Sequence, residues 1–200
     1  MAEETDAKNG EGAGAGIDPA LLDRLRRGFP LRLDRLGAFW IGDEPVTHPR
    51  VIDALRRGLD LSESGEVTVH LGPQWCYLRV DDCPLRVLGV REGERDGEAA
   101  PAASEAPTLD LLLDDGRRLP LDPATLWEEP GEGLRCAVPA ARSGRPLAAR
   151  FTNRGQIELA EWLDLEAEPR PLLRLGGRRW VINEVAPAGS GDDPDDPPAA

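Results

Sequence analysis

Across residues 65–88, GEVTVHLGPQWCYLRVDDCPLRVL, apolar and polar side chains alternate with the period of a half-buried strand. Val67, Val69 and Leu71 mark one face, Gly72-Pro73 supplies turn chemistry, and Cys76, Leu78 and Val80 resume the alternation, which predicts a β-hairpin. Asp81-Asp82-Cys83-Pro84 reads as a tight corner, and Leu85 to Val90 as a third strand.

Before this stretch, Asp18-Pro19 has the form of an N-cap and first helical residue, with Leu21, Leu22 and Leu25 as a short docking stripe ending at Gly28. Leu31, Leu33 and Phe39-Trp40-Ile41 predict strands, and Gly42-Asp43 turns the chain into Glu44-Pro45-Val46. Pro49 starts a second helix capped by His48, with Val51, Ile52, Leu55 and Leu59 on the face that covers the sheet. Further on, residues 108–113, the turn Asp114-Asp115-Gly116-Arg117 and Leu119-Pro120-Leu121 form a hairpin. Asp122-Pro123 then heads a short helical turn. Leu172 to Leu175, Gly176-Gly177 and Arg178 to Val185 predict a closing hairpin with Trp180 and Ile182 inward.

The order of parts repeats. FWIGDEPVTHP and LLDDGRRLPLDP both run strand, turn, strand, helix start. Val67 to Leu71 then matches Leu134 to Val138, Trp75 to Val80 matches Leu147 to Phe151, and the Asp81-Asp82-Cys83-Pro84 corner matches Thr152-Asn153-Arg154-Gly155 leading into Gln156 to Leu159. The expected architecture is α+β, mostly β: two repeated lobes of bent antiparallel sheet, each with a covering helix. The first lobe, with its leading helix, spans 17–91 and the second 108–186.

Composition bears on the segments between. Residues 1–16, 92–107 and 187–200 are acidic and rich in Gly, Ala or Pro, so they lack the apolar content to offset the entropy of ordering and are expected to be mobile. They carry −3, −4 and −4 of the net charge of −13, leaving −2 for the body. The body's arginines are interleaved with acids, without the basic stripe that a phosphate backbone selects, so no nucleic-acid partner is expected. No stretch approaches the roughly 20 apolar residues that cross a bilayer, and the acidic, Gly-rich start lacks the regions of a secretory signal. No membrane insertion is expected, and the cytoplasm is the default compartment. Cys76, Cys83 and Cys136 are odd in number and unpaired by spacing, which suits small buried thiols.

The phrases GDEPVTHPRVIDALRRGL, VDDCPL and FTNRGQIEL resemble the uncharacterised bacterial DUF1285 family, a domain of unknown function with a "G-x-P-I" turn and "V-E-D-x-P-F" and "T-N-x-G-D" corners. The resemblance covers roughly Leu31 to Leu159. It implies duplicated lobes, a second lobe superficially similar to pleckstrin-homology folds, and an inter-lobe surface suited to ligand binding or signalling. The chain departs from the pattern at Leu85, where the family has Phe, and at Gln156, where it has Asp.

Catalytic and metal chemistry has no anchor in the pattern. His48 and His70 have no partner at metal-ligand spacing, the serines lie outside any nucleophile elbow, and no Gly-rich segment has phosphate-loop spacing, so neither a metal nor a cofactor is expected. The candidate ligand-binding residues are Trp75, Asp82, Asn153 and Arg154, at the strand entry and the two corners. Asp82 and Asn153 double as turn caps, and Trp75 as a core or inter-lobe anchor. The function this supports is a non-catalytic binding or regulatory module for an unknown protein, peptide or small-molecule ligand. The alternative is an enzyme using Asp81 or Asp82 with Arg154 in the cleft between lobes.

Overall fold

The computed structural model describes residues 18–93, 107–167 and 169–184. The segments 1–16 and 187–200, expected to be mobile, lie outside these residues, as does most of 92–107. The ends of that last segment are tied together: Glu92 pairs with Leu109, and the Gly93 amide donates to the Thr108 carbonyl at 2.8 Å.

Helix α1 (Pro19–Gly28) starts as its sequence predicts, with Asp18 accepting from the Ala20 amide at 3.0 Å and Pro19 in the first turn. Its leucine stripe does not dock it, because none of its residues is buried. Polar contacts hold it instead: the Tyr77 hydroxyl donates to Asp23 at 3.0 Å, and Arg27 reaches Tyr77 and Glu66. Next come β1 (Leu31–Leu33), β2 (Phe39–Ile41), β3 (Glu44–Pro45) and α2 (Pro49–Arg57). His48 precedes α2 without a side-chain capping bond, so Pro49 alone fixes the helix start. Leu59, expected on the face of α2, belongs to β4 (Leu59–Leu61). Helix α2 stops at Gly58, which lies so close to His70 that a Cβ there would collide with the His70 carbonyl oxygen.

The central hairpin forms as β5 (Val67–Leu71) and β6 (Gln74–Tyr77), followed by β7 (Arg79–Val80) and β8 (Leu85–Glu92). Its inward set differs from the alternation. Val69 and Thr68 are buried, whereas Leu71 at the turn is exposed. The rest comprises β9 (Leu109–Leu113), β10 (Arg118–Pro120), a 3-10 turn at Pro123–Thr125 capped by Asp122, β11 (Leu126–Glu129), β12 (Gly133–Pro139), β13 (Pro146–Phe151), α3 (Asn153–Ala160), β14 (Leu163–Asp164), β15 (Leu172–Leu175) and β16 (Arg178–Val181). The closing hairpin is therefore present as β15–β16, with Ile182 buried and Trp180 packed against the core.

Strand order carries the repetition. The first sheet runs β3-β2-β1-β7, and the larger one contains β10-β9-β8-β13 in the same arrangement, extended by β12 and β11. In each, the first strand pairs antiparallel with the second and parallel with the last: Leu33 with Val80, and Val87 with Phe151. The meander β4-β5-β6 likewise corresponds to β11-β12-β13. Strand β8, read from sequence as the end of the first lobe, thus opens the second repeat and lies inside the six-stranded sheet. The protein is mostly β, with repeated curled sheets around one core that includes Leu33, Phe39, Leu85, Val87, Leu111 and Phe151.

The two corners diverge. Asp81-Asp82-Cys83-Pro84 leads into β8, as expected, but Thr152 begins a helix where Gln156 to Leu159 was expected to be a strand. The Thr152 hydroxyl accepts from the Gly155 amide at 3.2 Å and donates to the Val87 carbonyl at 2.9 Å. Gly155 lets α3 lie against β8, since a Cβ there would stand 2.8 Å from the Val87 oxygen.

A candidate ligand cleft between the repeats

Three neighbouring strands of the large sheet each place an arginine at the same level. Arg135 is register partner to Arg150, and Arg150 to Arg86. Their chain neighbours Leu134, Cys136, Ala149, Phe151, Leu85 and Val87 face the core, so the guanidinium groups share the opposite face. Like charges on adjacent strands repel, and the arrangement needs a counter-ion.

Asp82 provides it. Its side chain is 1% exposed and lies 3.0 Å from Arg150 Nη1, 2.9 Å from Arg135 Nη2 and 3.7 Å from Arg86 Nη2. Burial pushes its carboxyl pKa up, but the Arg150 hydrogen bond and the charges of Arg135 and Arg86 outweigh that and hold it below the ordinary value. Asp82 is thus the hub of an arginine cluster and not the turn cap expected from its corner. Glu132 extends the cluster to Arg35 at 3.3 Å, alongside contacts to Arg135 and Arg150.

The cluster also joins the repeats. Arg86 donates to the carbonyls of Cys83 at 2.8 Å and Arg35 at 2.6 Å, pinning the β1–β2 turn of the first repeat onto β8 of the second. Arg56 of α2 spans the same seam, donating to the Gly37 carbonyl at 3.1 Å and pairing with Asp114 at 3.1 Å. Burial raises the Asp114 pKa despite the Arg86 amide and the Arg56 charge.

Above this seam is a cleft of about 400 Å³ lined by Arg35, Leu36, Arg56, Leu88, Arg150 and Asn153, among others. Leu36 is 90% exposed and Leu88 45% exposed at its rim, the latter on a β-bulge. The N-terminus of α3 opens beside it: among the described residues, the Asn153 and Arg154 amides have no acceptor, so the positive end of the helix is free. The cleft therefore offers anion-binding groups next to apolar surface.

The residues expected from sequence do not all meet here. Asn153 lines the cleft, and Asp82 organises the cluster behind it. Arg154 is exposed and pairs with Glu158 at 2.9 Å. Trp75 is elsewhere, half-buried, with His70 stacked on it at 5.8 Å, Tyr77 edge-on at 5.3 Å and Arg26 over its face at 4.0 Å. It borders an apolar groove of about 340 Å³ with Phe29, Ile41, Val51 and Leu71. A more spacious cleft of about 740 Å³ lies under α1, confined to the first repeat. Arg35, Arg56, Arg86, Arg135 and Arg150 were not singled out from sequence. The strand members of this group carry one signal, an arginine between apolar neighbours, as in LRV around Arg86, LRC around Arg135 and ARF around Arg150.

The cysteines are free thiols, Cys83 and Cys136 buried and Cys76 half-buried. Burial, together with the Asp82 charge, pushes the Cys83 thiol up to about 12. Among the described residues no group of three or more His, Cys, Asp or Glu is placed to hold a metal ion, and no helix is long and apolar enough to cross a membrane.

No family model matches the sequence. No curated protein matches it either. Two solved structures resemble the chain. One is a DUF1285 family protein from Silicibacter pomeroyi DSS-3, 15% identical, with a TM-score of 0.57 over 78% of this chain and 80% of that one. The other is a DUF1285 family protein from Shewanella baltica OS155, 14% identical, with a TM-score of 0.42 over 62% of this chain and 84% of that one. The likeness to the first extends over more of the chain than either repeat holds: the chain has the fold of a DUF1285 family protein.

Proposed function

We propose that the chain is a non-catalytic binding module whose cleft between the repeats takes an acidic peptide segment. The supporting observation is the juxtaposition, in one cleft, of Arg35, Arg150 and the free α3 amides with the exposed Leu36 and Leu88. Guanidinium groups and a helix N-terminus attract carboxylates, and exposed leucines beside them accommodate apolar neighbours in a bound strand or turn. A PH-like second lobe and a regulatory, signalling role in the cytoplasm belong to the same proposal; the bent six-stranded sheet followed by α3 favours it.

The enzymatic alternative has weaker support. Asp82 is enclosed and held ionised by arginines, Asp81 is paired with Arg32 at 2.7 Å, and Arg154 is engaged by Glu158. A general base needs an accessible carboxylate with a raised pKa.

The test is fluorescence polarisation of the full chain with labelled Asp/Glu-Leu peptides against Lys-Leu peptides of equal length. Acidic peptides are expected to bind, and Arg35→Ala or Leu36→Ser to weaken them by about tenfold without lowering the melting temperature, as for loss of a contact worth about 1.4 kcal/mol. Equal binding of both peptide classes, or binding indifferent to both variants, rejects the reading.

A further inference from the structure

The chain leaves the described residues beside the arginine row. Asn183 bridges Trp127 in parallel, and its carbonyl accepts from the Glu128 amide at 2.6 Å. Trp127 is register partner to Arg135, Arg135 to Arg150 and Arg150 to Arg86, so Asn183 lies on the register line that carries the three strand arginines. Three strand spacings, about 14 Å along the sheet, separate it from β13.

Its heading follows from the same bridge. The pairing is parallel, so the chain runs with β11 toward Glu129, which pairs with Gly133. On β13 the same direction leads from Arg150 through Phe151 to Thr152 and the start of α3. The chain is thus aimed at the end of the sheet where the cleft of Arg35, Arg150 and Asn153 opens. Leu134, Cys136, Ala149 and Phe151 close the other face against the core, so a segment returning across the sheet passes over the arginine side. The exposed Arg178 and Arg179 lie behind, at the start of β16, and reaching them requires the chain to reverse.

The sequence after Glu184 suits that path. Residues 185–191, VAPAGSG, are uncharged and mostly small, and residues 192–198, DDPDDPP, place Asp192, Asp193, Asp195 and Asp196 in one run. From Asn183 to Asp192 an extended chain spans up to about 30 Å, more than the distance to be crossed. The cleft has the opposite charge. Its lining holds Arg35, Arg56, Arg86 and Arg150 against Asp114. In the cluster as a whole, those four and Arg135 face Asp82, Asp114, Glu129 and Glu132, and the N-terminus of α3 adds to the positive excess.

We infer that the run from Asp192 to Asp196 is an intramolecular occupant of this cleft, held by Arg35, Arg150 and the α3 amides until a stronger acidic ligand displaces it. The inference rests on the reading of the cleft as an acidic-peptide site and supplies its regulation. A tethered competitor is present at an effective concentration on the order of millimolar, so it excludes weak acidic ligands and yields only to tighter ones.

Two full-chain variants of equal net charge separate docking from bulk repulsion. The tail variant combines Asp192→Asn, Asp193→Asn, Asp195→Asn and Asp196→Asn, and the control combines Glu3→Gln, Glu4→Gln, Asp6→Asn and Glu11→Gln. In proton–nitrogen NMR spectra the tail variant is expected to shift the Leu36, Leu88, Asn153 and Arg154 amides, and the control to leave them in place. By fluorescence polarisation a labelled Asp/Glu-Leu peptide is expected to bind the tail variant about tenfold more tightly than the parent or the control. Cleft amides that do not move in the tail variant, shifts confined to β15–β16, a control that behaves as the tail variant does, or measurable peptide binding that is equal in parent and tail variant would each overturn the inference. Shifts at the cleft with no acidic-peptide binding by any of the three chains would instead leave the tail as the occupant and reject the peptide reading.

Discussion

Asp81 and Thr152 hold the same position in the two repeats: the Asp81 amide donates to the Leu33 carbonyl and the Thr152 amide to the Val87 carbonyl, each at 3.0 Å. From this shared point the chain takes two courses. After Asp81 it turns through a Cys-Pro corner and becomes β8, the first strand of the next repeat. After Thr152 it winds into α3, because a hydroxyl in that position caps the first helical turn.

Substitution at the second corner separates its two polar residues. Thr152→Ala removes both the cap and the bond to Val87 and is expected to cost about 0.5–2 kcal/mol. Asn153→Ala, at an exposed helical position with no side-chain bond among the described residues, is expected to stay within about 0.5 kcal/mol of the parent. Urea unfolding midpoints measure both. Equal losses would restore Asn153 as a cap.

Glycine replacements are expected to differ in sign. Gly28 ends α1 in open space, with no atom within 4 Å of where a Cβ would stand, so Gly28→Ala is expected to stabilise by about 0.5–1 kcal/mol through the unfolded chain. At Gly58 and Gly155 the same methyl meets the backbone of His70 and Val87, and the melting temperature is expected to fall. A rise at Gly155 would show that α3 stands off the sheet.

The hairpins β2–β3, β5–β6, β9–β10 and β15–β16 were legible because alternation and turn residues are local signals. Helix α3 was not: Ile157 is exposed and its buried positions are Gly155 and Leu159, so it carries little apolar periodicity, and Thr-Asn-Arg-Gly reads equally well as a corner. Leu59 continues the four-residue spacing from Leu55, but the close approach of Gly58 to His70 ends the helix first. At the cleft, the sequence singles out Asp82 without its partners. Arg135 and Arg150 reach it through strand register, set by contacts more than 50 positions away along the chain.

Strand β8 sits between β9 and β13, with Leu85 and Val87 0% exposed. A fragment of residues 18–92 strips both neighbours from it and uncovers that apolar face, so no cooperative thermal transition is expected, in circular dichroism or calorimetry. A soluble fragment that melts sharply would mean that the first repeat closes its core without the second.

Asp82 and Asp114 are expected to respond oppositely to neutralisation. Asp82→Asn leaves Arg86, Arg135 and Arg150 side by side without their counter-ion, a loss of about 3–5 kcal/mol at pH 7 by analogy with broken buried pairs. The folded-state pKa of Asp82 is lowered, so its contribution is present above the ordinary carboxylate value near 3.9 and disappears as the pH falls through the folded value. The gap between parent and variant should therefore close in acid. Asp114 has a raised folded-state pKa: it favours the fold below the ordinary value, and that contribution is lost as the pH rises through the folded value. Asp114→Asn mimics the protonated form and retains an acceptor for the Arg86 amide, now 3.0 Å away, so it is expected to be neutral or stabilising at pH 7. Urea titrations of the two variants between pH 3 and 7 check both signs. A gap for Asp82→Asn that stays constant with pH would show that its carboxylate does not balance the arginines, and that the seam between the repeats is held by its other contacts, among them those of Arg86 with the Arg35 carbonyl and of Arg56 with the Gly37 carbonyl and Asp114.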